Sequence, residues 1–453
     1  MIVMLFTRTA RQRALLIALA LTLAGVVAGW ILVGPEPMAF SQGRKVNLAD
    51  YHEADPSGVP AALTQASVIK RGEYLAKAAD CLVCHTAKGG EAYAGGFAFV
   101  LPFGKLYSTN ITPDKATGIG AYTDAQFLAA VHRGLRGDGA NLYPAMPYTS
   151  YTYLTDADVL AIKAYLFSLA PVASPNKPNA LAFPFNQRWA MGIWSALFSA
   201  NERFRPDVEK SAEWNRGAYI AEALAHCGEC HTPRNLAFAL DNRKKFGGAL
   251  TAGWRAYNIS SDKVSGVGAW TDEELTAYLV RGHAAGHGSA AGPMGEAVDE
   301  SFSQLAPEDV RAIVTYVRSI PGSASSDLPA LAATAPDSHA QGLATADSHG
   351  KQVYEGACAS CHGWSGVSDI SEYATLTGAR AVNDPHGTNV AQIVLAGMKR
   401  SSAAGVTEMP AFGAAYSDSD IAAVANFVTT RFGSRASNLR ATDIAKMRRE
   451  TAQ

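Results

Sequence analysis

The chain has 453 residues, a formal net charge of −1 and 48% hydrophobic residues. That length accommodates about three domains, and the balanced charge excludes a basic nucleic-acid field or an acidic tail. Past the N-terminus no run is apolar enough to span a bilayer, so a membrane-crossing element belongs at the start.

There, Arg8, Arg11 and Arg13 precede an uncharged run over 14–33. Its length matches the roughly 20 residues that cross a hydrocarbon core. A membrane anchor is therefore expected over 1–34, with the arginines held in the cytoplasm. Val26-Val27-Ala28 also fits a cleavage site, so a removed signal helix is the alternative. Both place the chain after Pro35 on the periplasmic side of the cell inner membrane.

After a lead-in over 35–67 comes the first of three copies of one motif. Cys81-Leu-Val-Cys84-His85, Cys227-Gly-Glu-Cys230-His231 and Cys358-Ala-Ser-Cys361-His362 use all six cysteines. Cys-x-x-Cys-His is the attachment signature of a c-type haem, with two thioether bonds and an adjacent proximal His ligand. Disulfides explain an even cysteine count but not a His after every second Cys. Zinc needs four closing ligands at finger-like spacing, and these pairs lie far apart. A thioredoxin-like motif accounts for one pair, not three with a trailing His.

The first two haem regions are an internal repeat. Arg71-Gly72-Glu73-Tyr74 corresponds to Arg216-Gly217-Ala218-Tyr219, and Asn110-Ile111-Thr112 to Asn258-Ile259-Ser260. Thr123-x-x-Gln126 and Thr271-x-x-Glu274 predict capping boxes that open helices. Amphipathic runs over 158–169, 308–320 and 418–432 close the three regions. The third region shares only the haem motif and the closing pattern, and no period-two alternation predicts a sheet. These signals give domains over 68–172, 211–322 and 346–433, a connector over 173–210, a linker over 323–345 and a tail over 434–453. Within the connector, Trp189, Trp194 and Phe198 predict packing between the first two domains, with a partner or membrane-surface contact as the alternative.

Each haem iron needs a sixth ligand. Tyr143-Pro144-Ala145-Met146-Pro147, Gly292-Pro293-Met294-Gly295 and Thr407-Glu408-Met409-Pro410 offer one methionine per domain. A thioether there raises the potential and suits electron transfer. The neighbouring prolines predict extended loops. Met398, in a helical-looking run, competes with Met409. His132, His226, His283, His287 and His386 are rivals expected mostly at the surface or in loops, with His283 and His287 closest in sequence to Met294. The metal ligands expected are thus His85, Met146, His231, Met294, His362 and Met409. No catalytic grouping is found.

The block Tyr107-Ser108-Thr109-Asn110-Ile111-Thr112-Pro113-Asp114, with Tyr143 to Tyr148, Cys230-His231-Thr232-Pro233-Arg234 and Met409-Pro410-Ala411-Phe412, resembles the tri-haem cytochrome c subunit of bacterial membrane-bound dehydrogenases. That group includes alcohol, gluconate, sorbitol and aldehyde dehydrogenase complexes, and the resemblance covers residues 68–433. It implies three covalently bound haem c groups. It also implies a separate catalytic subunit of quinoprotein, flavoprotein or molybdenum type, and electron delivery to ubiquinone or a terminal oxidase. The uncharged leader is longer than in family members with a cleaved signal. The segment from His283 to Met294 is similar to cytochrome subunits of molybdenum-type dehydrogenases, which leaves the partner's cofactor open. An independent membrane-tethered carrier and a multi-haem peroxidase are the rival functions. The expected fold is mainly α: three tandem cytochrome c-type domains after an N-terminal transmembrane or signal helix.

Overall fold

A computed structural model describes residues 15–19, 22, 25, 29, 33–324, 348–402 and 405–451. Three helix pairs organise it. Val68–Ala78 packs on Asp156–Ser168, Ala212–Tyr219 on Pro307–Ser319, and Ser348–Ala357 on Asp418–Phe432. In the first two units the opening helix begins at a serine, Ser67 or Ser211, whose side chain accepts from an amide of the first turn. The two predicted capping boxes are both formed, at Thr123 with Gln126 and at Thr271 with Glu274.

One glycine sets each crossing. A Cβ on Gly72 would lie 1.8 Å from the Ala161 carbonyl oxygen, and one on Gly217 1.8 Å from that of Ala312. On Gly350 it would lie 2.3 Å from that of Ala423. An aromatic residue one turn later closes over each glycine: Tyr165, Tyr316 or Phe427. The third unit therefore shares a crossing that its sequence did not advertise. Cys227 lies one residue further from Gly217 than Cys81 lies from Gly72. The extra residue is absorbed in a π-helical turn over Ile220–Leu224, which holds one residue more per hydrogen-bonded ring.

The expectation of a mainly α chain behind a membrane helix needs correction. Helix accounts for 44% of the chain, because hairpins and long loops wrap the haem motifs. Strands β1 (Ala98–Leu101), β2 (Gly104–Tyr107) and β3 (Ala180–Leu181) form one antiparallel sheet in that order. Three two-stranded hairpins follow: β4 (Ala249–Thr251) with β5 (Trp254–Ala256), β6 (His283–Ala284) with β7 (Gly288–Ser289), and β8 (Met398–Ser402) with β9 (Gly405–Met409). These strands are too short for an alternation to show in sequence. Among the described residues no helix is long and apolar enough to cross a membrane. The transmembrane expectation over 1–34 is therefore not upheld. Residues 1–14 and most of 20–32 lie outside the described residues, as does nearly all of the expected linker over 323–345.

The first two units meet through a reciprocal exchange. The Tyr74 hydroxyl donates to Asp309 Oδ2 at 2.6 Å and accepts from the Ala306 amide at 3.1 Å. Its repeat counterpart Tyr219 donates to Asp158 Oδ2 and accepts from the Thr155 amide at 3.1 Å. Each aspartate sits in the first turn of the other unit's closing helix, as at a two-fold interface. The two repeat arginines, Arg71 and Arg216, differ here: Arg216 grips Asp309 through Nε at 2.8 Å and Nη2 at 2.6 Å, whereas Asp158 takes the Gly58 amide at 2.9 Å. The lead-in straps this junction, with Arg216 donating to the Pro56 and Gly58 carbonyls and Asn215 to the Tyr51 hydroxyl.

The third unit docks on the second. Asn389 and Arg255 exchange side-chain-to-backbone bonds of 2.9 and 3.0 Å, and Gln392 donates to the Gly253 carbonyl at 2.9 Å. The C-terminal residues expected as a tail carry a helix, Ala441–Thr451, which buries Ile444 against the third unit and pairs Arg448 with Asp418 at 2.8 Å.

Candidate functional site

Each Cys-x-x-Cys-His motif runs through a single helical turn: Cys81–Cys84, Gly228–His231 and Ala359–His362. Residues three apart on a helical turn share a face, so each thiol pair points the same way. All six cysteines are free. Burial pushes the Cys81 and Cys227 thiols up to about 12 and those of Cys230 and Cys358 up to about 11. Among the described residues no three His, Cys, Asp or Glu side chains converge on a bare metal ion.

The three histidines are held identically. Nδ1 of His85 bonds the Thr109 carbonyl at 2.7 Å, that of His231 the Tyr257 carbonyl at 2.6 Å, and that of His362 the Ala374 carbonyl at 2.6 Å. A carbonyl only accepts, so Nδ1 carries the proton and Nε2 presents a lone pair. Burial holds all three pKa values below the ordinary imidazole range, which keeps the rings neutral. Neutral imidazoles with Nε2 free, each beside two cysteines on one turn, fit a covalently bound haem.

The repeated Asn block explains how two of these carbonyls are placed. Asn110 follows Thr109 and is buried; its Oδ1 accepts from the Thr112 amide at 2.9 Å and its Nδ2 donates to the Val172 carbonyl at 2.7 Å. Asn258 follows Tyr257, accepts from the Ser260 amide at 2.8 Å and donates to the Ser323 carbonyl at 2.6 Å. Each asparagine thus fastens the loop that orients a histidine to the end of its unit. In the third unit, Ala374 ends a short 3-10 helix, Glu372–Ala374, and does this without an asparagine. A backbone acceptor leaves no side-chain signature, so that element was not legible in sequence.

The methionines are presented in three different ways. Met146 lies in the turn before the Tyr148–Tyr151 helix, outside any helix but closed by its own amide on the Tyr143 carbonyl at 3.1 Å and so not extended. Met294 instead lies in a helix, Gly292–Glu300; Pro293 falls in its first turn, where a missing amide costs nothing. Met409 ends β9 and pairs directly with Met398 on β8. Met398 is thus in a strand: the helix Thr388–Ala396 stops at Gly397, whose φ is 73°. Directly opposed strand residues share one face of a hairpin, so the two rival sulfurs are neighbours.

These segments interlock across units. Thr149 and Ser150, just past Met146, donate to Glu229 inside the second motif at 3.0 and 3.1 Å, and Glu229 pairs with Arg234 at 2.6 Å. The Gly292–Glu300 helix packs against the Cys81–Cys84 turn on one side and β8 on the other. There, buried Arg400 pairs with Asp299 at 3.1 Å. Glu229 and Arg400 were not singled out in sequence. Glu229 occupies a variable motif position, and Arg400 gains its role only from docking.

The rival histidines divide: His386 is exposed, as expected, while others are enclosed. His132 and His283 are almost fully enclosed, and His226 packs edge-on against Tyr151. His283 Nδ1 bonds Ser289 Oγ at 2.9 Å. His287 stacks on Trp270 at 3.8 Å with its Nε2 3.3 Å from Glu274. His386 Nδ1 lies 3.0 Å from Asp384.

A family model described as Cytochrome c matches residues 69–170, and one described as Cytochrome C oxidase, cbb3-type, subunit III matches residues 345–428. The fructose dehydrogenase cytochrome subunit of Gluconobacter japonicus is 39% identical over 418 residues, covering 87% of this chain and 85% of that protein. The gluconate 2-dehydrogenase cytochrome c subunit of Pantoea cypripedii is 37% identical over 408 residues, covering 85% and 91%. A nicotinate dehydrogenase subunit of Pseudomonas putida is 39% identical over 386 residues; these are 85% of this chain but 32% of that longer protein.

Proposed function

Because the chain belongs to the cytochrome c subunits of dehydrogenase complexes, we propose that it carries three covalent haem c groups. Through them it relays electrons from a periplasmic dehydrogenase subunit to membrane ubiquinone or a terminal oxidase. It is an electron-transfer subunit and not a catalytic one. The observation that carries the tri-haem reading is the threefold recurrence of a motif histidine whose Nδ1 is bound to a backbone carbonyl.

Covalently held haem supplies a one-electron iron couple. Cys81 and Cys84, Cys227 and Cys230, and Cys358 and Cys361 hold it through thioether bonds, one pair in each of the units 68–172, 211–322 and 346–433. His85, His231 and His362 present Nε2 to the iron, and the carbonyl bond to Nδ1 fixes the ring and raises its basicity. Met146, Met294 and Met409 would supply the remaining iron ligands, and their thioethers would raise the potential so that the chain accepts electrons readily. The packing of the Met294 helix between the first motif and β8 supports a connected relay. The catalytic partner is a quinoprotein, flavoprotein or molybdenum-type subunit, and the chain works on the periplasmic side of the inner membrane.

The test is haem stoichiometry with partner capture. Pyridine haemochrome analysis of denatured protein should give about three c-type haems per chain, resistant to acid-acetone extraction. A dehydrogenase subunit should co-purify, and its substrate should reduce the haems. A value near two removes one site from the scheme, and haems that stay oxidised with the partner and its substrate present defeat the relay.

A further inference from the structure

The first two units are repeats, yet the loop that supplies a carbonyl to each motif histidine is braced from outside by different chemistry. In the first unit, Asn176 of the connector donates to the Thr117 carbonyl at 3.0 Å and accepts from the Asn110 amide at 2.8 Å. In the second unit, Ser265 stands where the first has Thr117, and Gly266 where it has Gly118. Arg380, which comes from the third unit, takes both carbonyls there. Its Nη2 donates to that of Ser265, and its Nη1 to that of Gly266 at 2.9 Å. A neutral amide in one unit is thus a cation in the other. The guanidinium lies over the Tyr257 ring, 5.5 Å from its centroid. Tyr257 is the residue whose carbonyl bonds His231 Nδ1. Thr109, at the same place in the first unit, offers a cation no ring face. The Arg380 amide also donates to the His287 carbonyl at 3.0 Å, so both ends of the residue are fixed on the second unit.

We propose that Arg380 sets the potential of the second haem, raising it above that of the first by placing a cation behind His231 where the first unit has a neutral amide. Reduction removes one positive charge from the iron, so a fixed cation nearby favours the ferrous state. The charge is permanent, because a guanidinium does not deprotonate in a protein. The two carboxylates whose charge reaches Arg380, Asp262 and Asp384, are committed elsewhere. Asp262 Oδ1 accepts from the Ser265 amide at 2.6 Å and the Ser265 hydroxyl at 2.9 Å, and Asp384 pairs with Arg255 at 3.2 Å. Arg400, another arginine that the third unit inserts into the second, is paired with Asp299 at 3.1 Å. Burial pushes the Arg380 guanidinium below its ordinary pKa, whereas Arg216, also drawn down by burial, is held above that value by Asp309. The Arg380 charge acts on the His231 imidazole, while burial and a carbonyl bond govern His85 and His362. Arg380 acts through the Tyr257 segment and its own field, and is a positioning residue. The inference rests on the tri-haem reading and adds an order to it. The second haem holds an electron more tightly than the first, and it does so because the third unit is docked.

Spectroelectrochemical titration of the full-length, haem-loaded protein tests this. Arg380→Met removes the charge and keeps the volume, a replacement that folded proteins tolerate. One haem's one-electron step should move down, with its ratio of reduced to oxidised haem at a fixed potential falling about tenfold, a shift of roughly 59 mV. That step should be the one that Met294→Ala displaces. Arg380→Lys keeps the charge but loses the planar fork and the ring stacking, and should restore most of the shift. If Arg380→Met loses haem, Arg380→Gln, which can still donate to the Ser265 carbonyl, is read for the same downward movement. Unchanged potentials in a fully loaded variant overturn the proposal, as does a shift confined to a different haem. Equal shifts for the Lys and Met variants also overturn it, since Arg380 then only braces the loop. A haem count of about three and a step displaced by Met294→Ala, both read before Arg380 is changed, check the underlying assignments separately.

Discussion

At the scale of single residues, the sulfur ligands are the sharpest proposal and the easiest to test. Met146, Met294 and Met409 reach their positions from a turn, a helix and a strand end respectively, so no common backbone shape selects them. Position after the haem motif does. Replacing any one with Ala should remove about a third of the near-infrared sulfur-to-iron band of the oxidised protein and lower one potential, with all thioether bonds retained. Met398 is the informative control because it sits opposite Met409 on the same hairpin face. Met398→Ala should leave the band intact; if it diminishes the band while Met409→Ala does not, the third ligand is Met398. The histidine bonds carry a second residue-scale prediction. Asn258→Ala loosens the loop that supplies the Tyr257 carbonyl, and should shift one potential and broaden one haem's spectrum without lowering haem content. No spectral change in any haem would mean that the asparagine serves only the fold.

At the scale of elements, the helix crossings decide stability. Gly217 has room for no side chain, with Ala312 O at 1.8 Å and Tyr316 Cβ at 2.8 Å from a built Cβ. Relieving that contact means separating two helices, since the obstruction is backbone. Gly217→Ala should cost about 1–3 kcal/mol or more, read as a melting temperature lower by roughly 4–10 °C. The third opening helix contains its own control. Gly356 has nothing within 4 Å of a built Cβ, whereas Gly350 meets the Ala423 carbonyl. Gly350→Ala should therefore destabilise, while Gly356→Ala should stabilise by about 0.5–1 kcal/mol through helix propensity. Equal effects in thermal melts would show that the crossing is looser than its contacts imply.

At the scale of the whole molecule, the junction of the first two units is symmetric in its tyrosines and asymmetric in its charge. Asp309 holds both Tyr74 and Arg216, and both partners of that ion pair are largely buried. Asp158 holds Tyr219 and the Gly58 amide. Removing one member of a buried ion pair strands the other and costs about 3–5 kcal/mol. Removing a hydrogen-bonded acceptor costs about 1–3 kcal/mol. Denaturant titrations of the haem-loaded protein should accordingly show Asp309→Ala as clearly the more damaging change, and Asp158→Asn as milder. The reverse order would place the weight of the junction on the lead-in strap at Gly58.

Sequence alone determined the chemistry and the repeat. Six cysteines, all inside Cys-x-x-Cys-His, point to covalent haem c because thioether attachment needs those residue types at that spacing, whatever surrounds them. Capping boxes at Thr123 and Thr271 were legible for the same reason: they are local, and three residues suffice to form them. What sequence could not supply was anything carried by backbone or by contact between distant segments. The Ala374 carbonyl on His362 has no side-chain signal, and Met294 looked like a loop residue because proline suits both a loop and the first turn of a helix. The strands escaped because hairpins of two to five residues cannot display a period. The membrane reading of the leader came from length and charge and was not upheld, whereas the exposed stripe on the Ala190–Phe198 helix is visible only in the folded chain. The roles of Asp309, Glu229 and Arg400 likewise belong to tertiary structure, since each acts on a residue at least 79 positions away, and burial sets its strength.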